Sequence, residues 1–578
     1  MKFYYHITTC LLGVSLLTHP ISAFTQPSGI VVAQKDIHRV NMMPDMPSSY
    51  SMLDWKQKAV NYDRYVFDWN RTGGVGPLIW TDDSCRNINQ PTFGLYTAIG
   101  DIRQGKGHNM EFHESVNTMA AILGAGLVGI DKTHQGGHNY VKMLQNYFNS
   151  DNGWNIMMNN TSSGVGKLGG GYGRDWWYNV LPNALYYAVC NVFPNVARAD
   201  SIQRVIAEQF VKADSVLNGN YDFSSFDYSR MKGIVNGIPF QQDAAGGHAY
   251  VLLCAYKKFG DKRYLDHCKS ALNALQSQKE SRFYEILLPL GIYTAAYLNA
   301  TEGTDYDLQK MLNWVFDGCK SANGRTGWGV IVGKWGKYDV SGLQGSLTDG
   351  GGYAFLMNSI KLSWPFIPIV KYRPRYARAI GKWMLNNASA CRLFYPMEID
   401  SANQWNPDMR GITDDNVSYE GLRKVDFYDK PSLRGVSPVA LGDGPRWIDG
   451  NPRQTMFSVY SSSPVGIMGA IVRSTNVRGI LRLDCNATDF YMPRMYPEYL
   501  YYNPYGRVRW VNYETAGGRH DLFDIVSKKY VVRNVNGSVV IAIPLKTAMV
   551  IVELPAGAQL IRKGNKVKVA HGDTICYE

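Results

Sequence analysis

Ala249-Tyr-Val-Leu-Leu-Cys-Ala-Tyr-Lys-Lys-Phe-Gly-Asp-Lys-Arg-Tyr-Leu265 is the stretch that decides the predicted fold. Apolar side chains recur at helical spacing as far as Phe259, Gly260-Asp261 interrupts them, and a second helical pattern follows. The Gly-Asp pair marks a turn between the two helices. The stretch therefore predicts a helical hairpin. A hairpin cannot bury its apolar face alone, so further helices are expected beside it.

The helical period extends over residues 51–397, and past about residue 400 the period changes to two. The strand-like runs there are bounded by Pro, Gly and Asn. Helices followed by strands, without βαβ alternation, indicate segregated domains. We predict a mainly α, then β chain, in which an N-terminal (α/α) toroid precedes an antiparallel β-sandwich. The predicted divisions are a signal peptide (1–23), an extended leader (24–50), the toroid as catalytic domain (51–397), a connecting segment packed on it (398–480) and the β-sandwich (481–578).

The first 23 residues have the features of a secretory signal. Lys2 precedes a short apolar run, and Ile21-Ser22-Ala23 is a small-residue cleavage site. The run is too short to cross a bilayer, and no later apolar stretch is long enough. We therefore expect an exported protein without a membrane span, periplasmic or extracellular.

Charge and composition narrow the choice of partner. The chain of 578 residues has 60 Lys and Arg against 48 Asp and Glu, a net charge of +12. The positive residues are dispersed rather than in runs, which favours an acidic polysaccharide over nucleic acid. Aromatic residues reach 13%, which suits sites that stack sugar rings as well as any large core. No zinc or dinucleotide motif occurs, so we expect no cofactor and no metal site. The sequence leaves open whether the protein forms a homo-oligomer.

A Gly-Gly motif recurs four times at predicted helix starts. Paired glycines allow close backbone approach, so the next side chain would face the mouth of the helical ring. The alternative is that the glycines serve tight packing and the rings belong to the core. On the first interpretation the substrate-binding residues are His138, Tyr172, Arg174, Trp176, Trp177, His248 and Tyr353.

Acidic residues cluster near these motifs. Asp175 follows one copy and precedes two indoles, whose apolar surface would raise its pKa and suit it to act as an acid. Glu114 starts an amphipathic helix, where it could stay ionised and activate water. Asp349 is the reserve candidate for a catalytic carboxylate, and Glu285 opens another predicted helix. Alternatively, Asp175 forms an ion pair with Arg174, and Asp349 caps a helix.

These residues fit more than one activity. Two carboxyl groups would serve glycoside hydrolysis. A Tyr or His base with a cation that neutralises a uronate would serve a polysaccharide lyase. A third alternative is a glycan-binding protein without catalysis.

Three segments carry a resemblance to a known family. They are Gly169-Gly-Gly-Tyr-Gly-Arg-Asp-Trp-Trp-Tyr-Asn179, Asp349-Gly-Gly-Gly-Tyr353, and the pair Thr488-Asp-Phe-Tyr491 and Tyr496-Pro-Glu-Tyr-Leu-Tyr-Tyr-Asn-Pro-Tyr505. They resemble exported α/α-toroid glycan-degrading enzymes with a trailing β-sandwich, in particular glycoside hydrolase family 154. That resemblance covers about residues 50–578 and implies exo-β-glucuronidase activity, the release of terminal glucuronic acid. A more distant resemblance is to toroid-plus-β-sandwich polysaccharide lyases. The catalytic residues proposed above rest on local chemistry and not on the family.

Overall fold

The long helices lie in the first two thirds of the chain, and the longest strands lie in the last fifth. The computed structural model describes residues 31–104, 114–165, 174–319, 327–346, 352–493 and 496–578. Its α-helices are α1 (His38–Asn41), α2 (Trp55–Val66), α3 (Ser115–Leu127), α4 (Tyr140–Met143), α5 (Trp176–Val192), α6 (Ala199–Leu217), α7 (Ala244–Phe259), α8 (Lys262–Ser277), α9 (Leu287–Thr301), α10 (Leu308–Phe316), α11 (Leu356–Lys361), α12 (Ser363–Tyr372), α13 (Ala377–Cys391), α14 (Gly444–Trp447), α15 (Val459–Ser462) and α16 (Val465–Ile471).

Many of the strands are short. They are β1 (Ile79–Asp82), β2 (Thr92–Leu95), β3 (Ser225–Asp227), β4 (Lys232–Ile234), β5 (Trp328–Val330), β6 (Lys334–Trp335), β7 (Tyr338–Asp339), β8 (Gln344–Ser346), β9 (Tyr353–Phe355), β10 (Ser418–Tyr419), β11 (Gly421–Arg423), β12 (Val439–Leu441), β13 (Phe457–Ser458), β14 (Val472–Ser474), β15 (Leu481–Asp484), β16 (Glu498–Tyr502), β17 (Arg509–Glu514), β18 (His520–Asp524), β19 (Lys529–Val535), β20 (Ser538–Ile543), β21 (Ala548–Pro555), β22 (Leu560–Lys563), β23 (Lys566–Val569) and β24 (Thr574–Cys576).

The predicted helical hairpin is α7 and α8. Gly260 ends α7 in a left-handed conformation with φ +73°. The Asp261 carboxylate then accepts a hydrogen bond from the backbone N–H of Arg263 at 2.9 Å and caps α8. The turn thus forms for the reason its sequence indicates, because glycine and aspartate occupy the two positions that a helix end and a helix start require.

Six helices form a closed ring. In order, α3, α5, α7, α9, α12 and α16 each contact the next, and α16 contacts α3. Glycines make the closure possible, since a Cβ on Gly466 would lie 2.1 Å from the carbonyl oxygen of Gly124. The helix that closes the ring, α16, lies in the segment 398–480, which is predicted as a connection. Residues 51–397 alone therefore do not complete the ring.

A five-stranded antiparallel sheet lies within the helical part, in the order β12-β11-β9-β8-β5. The sequence does not indicate this sheet, because its strands are only three residues long and show no alternation. The fourth Gly-Gly copy consequently leads into strand β9 rather than a helix, which corrects that prediction. Of the other copies, Gly246 and Gly247 lie in the first turn of α7, Gly136 and Gly137 form a turn before α4, and the copy beginning at 170 lies outside the described residues.

The C-terminal part is built mainly on a six-stranded sheet in the order β14-β15-β16-β21-β18-β19. The antiparallel pair β17–β20 packs on this sheet over a separate apolar cluster, to which Tyr501 and Ile551 contribute from the sheet and Val511 and Ile541 from the pair. Helix α13 packs against β16 and β21. Because α13 also contacts the ring helix α12, the sheet is joined to the ring by apolar contacts and not by a loose tether.

Candidate functional site

A cavity of about 470 Å³ opens where α3, α5 and α9 begin, which is within the usual size range for a small-ligand site. The five-stranded sheet supplies one side, through β5 and β9, and α15 supplies another. Aromatic side chains dominate the lining: Trp177, Tyr178, Tyr284, Trp328, Tyr353, Phe355, Trp447 and Tyr460.

Several of these rings pack edge to face. The Tyr284 and Trp328 centroids lie 5.1 Å apart at 70°, and Trp328 and Phe355 lie 6.1 Å apart at 71°. Such arrangements are favoured by the ring quadrupoles and hold the side chains in fixed orientations. The wall therefore presents rigid apolar faces of the kind that cover the C–H face of a sugar.

Glu114 is the N-cap residue of α3 and is only 1% exposed. The Tyr178 hydroxyl donates a hydrogen bond to its Oε1 at 3.0 Å, while Oε2 has no hydrogen-bond partner within the described part of the chain. Burial raises the pKa of Glu114 to about 8, against the opposing effects of the Tyr178 hydrogen bond and of Lys361. The carboxyl group is thus protonated near neutral pH, which is the state a general acid needs.

Asp175 and Arg174 lie at the start of α5. Asp175 is half-buried and accepts a hydrogen bond from the side-chain amide of Gln241, and it caps α5 without a side-chain hydrogen bond to the helix. Arg174 is exposed, and its carbonyl oxygen accepts a hydrogen bond from Asn236 at 2.8 Å. The sequence predicts Asp175 as the protonated acid and Glu114 as the ionised group that activates water. In the structure Glu114, and not Asp175, is the fully enclosed carboxyl, so burial favours the opposite assignment.

Two further glutamates face the same cavity, Glu285 and Glu420. Asn358 donates a hydrogen bond to Glu285 Oε2, and the backbone N–H of Asp443 donates to Glu420 Oε2 at 2.8 Å. Burial, with Asp443 nearby, raises the pKa of Glu420 to about 8. Sequence reasoning noted Glu285 without assigning it a role and missed Glu420, which follows a two-residue strand with no periodic signal.

Lys361 is a buried cation behind these carboxyl groups. It ends α11 and is fully buried, and its ammonium group has no hydrogen-bond partner among the described residues. Burial lowers the pKa of Lys361 to about 7, although the charges of Glu114 and Glu285 act in the opposite direction. No sequence motif marks this residue.

Of the residues predicted from sequence, the structure brings five to the cavity: Glu114, Arg174, Asp175, Trp177 and Tyr353. His138 lies elsewhere, with its ring 5.2 Å from that of Trp69 and 5.3 Å from that of Tyr140. Asp349 and Tyr172 lie outside the described residues.

Trp176 and His248 are core residues, which corrects their predicted substrate contacts. His248 is fully buried, and its two ring nitrogens face the hydroxyls of Tyr228 at 2.7 Å and Tyr221 at 3.3 Å. Burial lowers the pKa of His248 to about 3, so the ring is neutral. Trp176 stacks on Tyr221 with centroids 5.4 Å apart, and its indole N–H donates to the Tyr228 hydroxyl at 3.1 Å. The ring nitrogens of Trp176 and His248 all form hydrogen bonds within the protein, so none is directed at the cavity.

The described ranges contain no group of three His, Cys, Asp or Glu side chains placed to hold a metal ion. Over the same ranges, none of the helices has the length and apolar character needed to cross a membrane.

Comparison with known proteins finds only remote structural similarity. No family model and no curated protein matches the chain. A GH127 β-L-arabinofuranosidase from Geobacillus stearothermophilus T6 aligns with TM-score 0.38 and 10% identity over 90% of this chain and 85% of that one. A mutant of unsaturated glucuronyl hydrolase from Streptococcus agalactiae aligns with TM-score 0.37 and 11% identity. The alignment covers 77% of this chain and 97% of that one. Endoglucanase CelQ from Clostridium thermocellum aligns with TM-score 0.32 and 12% identity over 92% of this chain and 96% of that one. Scores this low identify neither a family nor an activity.

Proposed function

We propose that this protein is an exported glycoside hydrolase that acts on a glycan containing uronic acid and releases terminal glucuronic acid. The observation that carries the proposal is the enclosed Glu114, whose pKa is raised to about 8 by burial, in an aromatic cavity that also holds the more exposed carboxyl of Asp175. Glycoside hydrolysis needs such a pair, in which one carboxyl group is protonated and the other is ionised.

In the proposed reaction Glu114 gives its proton to the glycosidic oxygen as the bond to the anomeric carbon breaks. Asp175, ionised at the cavity mouth, takes a proton from the water that attacks the anomeric carbon. A raised pKa favours the first role because the proton is still present at neutral pH. Partial exposure favours the second role because water can reach the carboxylate.

Substrate charge is the second part of the proposal. Arg174 is exposed at the mouth and can bind a uronate carboxylate through charge-assisted hydrogen bonds, which are stronger than neutral ones. Glu114 and Glu420, whose pKa values are raised to about 8, are largely uncharged near neutral pH and so repel an anionic sugar less than ionised carboxylates would.

We extend the proposal to the architecture. The closed ring of six helices, with α2, α6, α8, α10 and α13 packed outside it, would be an (α/α) toroid. The six-stranded sheet and the two-stranded β17–β20 sheet would form the β-sandwich. The proposed signal peptide lies outside the described residues.

The lyase alternative needs a Tyr or His base. Of the two residues that the sequence suggests for that role, His248 is enclosed in the core, and burial raises the pKa of Tyr353 well above its usual range. A phenol with a raised pKa loses its proton less readily, so it is a weak base near neutral pH. The hydrolase therefore fits the cavity better than the lyase.

Incubation with a panel of acidic oligosaccharides tests the proposal. New reducing ends and free glucuronic acid, without ultraviolet absorbance from an unsaturated product, are the expected result. An unsaturated product would establish the lyase. Binding without any product would establish a glycan-binding protein.

A further inference from the structure

One aromatic residue of the cavity wall lies on a very short helix. Trp447 lines the cavity and is the last residue of α14, which is four residues long. A helix of one turn is not stable through its own hydrogen bonds, so contacts with the rest of the protein determine where it lies. The position of Trp447 in the wall therefore depends on what holds α14.

Arg423 forms an ion pair with the residue that precedes α14. Arg423 Nη2 donates hydrogen bonds to both carboxylate oxygens of Asp443, the N-cap residue, at 3.1 and 3.3 Å. The Arg423 guanidinium also lies over the rings of Tyr353, at 4.5 Å, and Phe427, at 4.1 Å. Arg446 of α14 lies over the same Phe427 ring at 4.6 Å. Cations are attracted to aromatic faces, so these rings fix the guanidinium that holds Asp443.

The five-stranded sheet anchors the base of the Arg423 side chain. Arg423 ends β11 and lies directly opposite Tyr353 of β9 in the antiparallel register. Gly421 of the same strand leaves room for the Tyr353 ring, since a Cβ at position 421 would lie 2.4 Å from it. The sheet thus places Arg423 beside a ring of the cavity wall, although Arg423 itself is not part of the cavity lining.

Other contacts hold the backbone around the start of α14. The Tyr428 hydroxyl donates a hydrogen bond to the carbonyl oxygen of Gly442 at 2.9 Å. The Asn451 side-chain amide donates to the carbonyl oxygen of Gly444 at 3.0 Å. Removal of the Arg423 guanidinium should therefore loosen α14 without unfolding this part of the chain.

We infer that Arg423 is a positioning residue that holds Trp447 in the cavity wall through Asp443 and α14. The inference rests on the proposed function for its consequence, which is how tightly the sugar is bound. A site whose competent arrangement is only partly populated binds its ligand more weakly by that fraction. Bond cleavage itself is assigned to Glu114 and Asp175, which Arg423 does not contact, so KM and not kcat should report the loss.

The first test changes Arg423 to Met, which removes the guanidinium and keeps an extended side chain. On the oligosaccharide that the enzyme cleaves, KM should rise about three- to tenfold while kcat stays within about twofold. Arg423→Lys should restore KM, because an ammonium group can also pair with Asp443 and lie over the two rings. Arg453→Met is the matched control, since Arg453 pairs with Asp408 at 2.8 Å and is not part of the cavity lining. An unchanged KM in folded Arg423→Met, or an equal rise in Arg453→Met, would overturn the inference.

A double variant tests whether Arg423 acts through Trp447. Trp447→Ala should itself raise KM, because it removes part of the aromatic wall. Adding Arg423→Met to Trp447→Ala should raise KM little further, since residues that act as one unit have effects that do not add. If the two single effects multiply in full, Arg423 does not act through Trp447 and the inference fails.

Hydrogen exchange tests the same contact without any substrate. In the ligand-free protein, the backbone amides of residues 442–447 should exchange about three- to tenfold faster in Arg423→Met than in the wild type. Arg423→Lys should exchange like the wild type, and the amides of α7 should not change in either variant. Equal exchange of residues 442–447 in wild type and Arg423→Met would overturn the inference. Faster exchange in a protein that releases no sugar would support the inference and reject the proposed function, so the two failures are distinguishable.

Discussion

Tyr178 and Glu114 are joined by a 3.0 Å hydrogen bond from the phenol to carboxyl Oε1 at the base of the cavity. The bond joins the starts of two neighbouring ring helices, α5 and α3. It also occupies one oxygen of Glu114 and leaves the buried Oε2 without a hydrogen-bond partner among the described residues. The orientation of the proposed acid therefore depends on the contact between these two helices.

Replacement of Tyr178 by Phe should move the alkaline limb of the pH profile of kcat/KM upward by about one pH unit. A hydrogen bond to a charged group contributes about 1.5–3 kcal/mol, and a shift of one pKa unit corresponds to about 1.4 kcal/mol. The shift is upward because the Tyr178 bond lowers the pKa of Glu114. Tyr228→Phe is the control, as that buried phenol contacts His248 and not Glu114. An equal shift in both variants would show that the effect is not specific to the Tyr178 bond.

Replacement of Glu114 by Gln should lower kcat by about 10²–10⁴-fold, the usual contribution of a general acid. The amide keeps the shape of the side chain and its bond from Tyr178 but has no acidic proton to give. Steady-state kinetics on the oligosaccharide released in the panel would measure this, with circular dichroism to show that the fold is retained. A Glu114→Gln enzyme with full turnover would remove Glu114 from the mechanism.

Glu114 should also make stability depend on pH. Its pKa is raised to about 8 in the folded protein, whereas an unfolded glutamate has a pKa of about 4.3. Between these values the folded state holds a proton that the unfolded state releases, so this contribution to stability is lost as the pH rises toward 8. The Glu114→Gln variant has no carboxyl proton at this position, so its stability does not decrease for this reason. Its free energy of unfolding relative to wild type should therefore increase with pH, by up to about 1.4 kcal/mol per unit. Urea unfolding across this window measures it, and a pH-independent difference would contradict the assignment.

Arg174→Ala should raise KM for a uronide by about tenfold or more, since a charge-assisted hydrogen bond contributes about 1.5–3 kcal/mol. A neutral glycoside with the same leaving group should be processed as by the wild type. Arg230→Ala is a suitable control, because the Arg230 side chain is 84% exposed and is not part of the cavity lining. Normal handling of the uronide by Arg174→Ala would mean that Arg174 has a structural role.

The helical hairpin could be predicted because its determinants are local. The apolar period of α7, the glycine at 260 and the capping aspartate at 261 lie within one short stretch. The same locality explains why Glu114 and Asp175 were found, since each precedes a strongly apolar helix.

The rest of the site could not be predicted, because ring closure creates it. Glu420 and Lys361 come to Glu114 from more than 200 residues further along the chain. Helical periodicity also cannot separate a side chain that faces the cavity from one that faces a neighbouring helix. Trp176 and Trp177 illustrate this, because adjacent residues on α5 point respectively into the core and into the cavity.

The last prediction concerns the contact between the helical ring and the C-terminal sheet. Lys371 of α12 is buried and pairs with Asp489 at 2.6 Å. Tyr293 and Tyr372 also donate hydrogen bonds to the Asp489 carboxylate, at 2.6 and 2.8 Å. Asp489 follows β15, so this network ties two ring helices to the sheet segment.

Lys371→Met should lower the free energy of unfolding by about 3–5 kcal/mol, because it leaves Asp489 buried without its counter-charge. Lys382→Met is the matched control on the adjacent helix α13, because Lys382 pairs with the more exposed Asp45 at 3.4 Å. This control should lower the free energy of unfolding by about 1 kcal/mol or less. Denaturant unfolding followed by far- and near-ultraviolet circular dichroism would measure both. If the network couples the two parts, wild type and variant each unfold in one transition. Equal losses in the two variants, or two separate transitions in the wild type, would show that the ring and the sheet are stabilised independently.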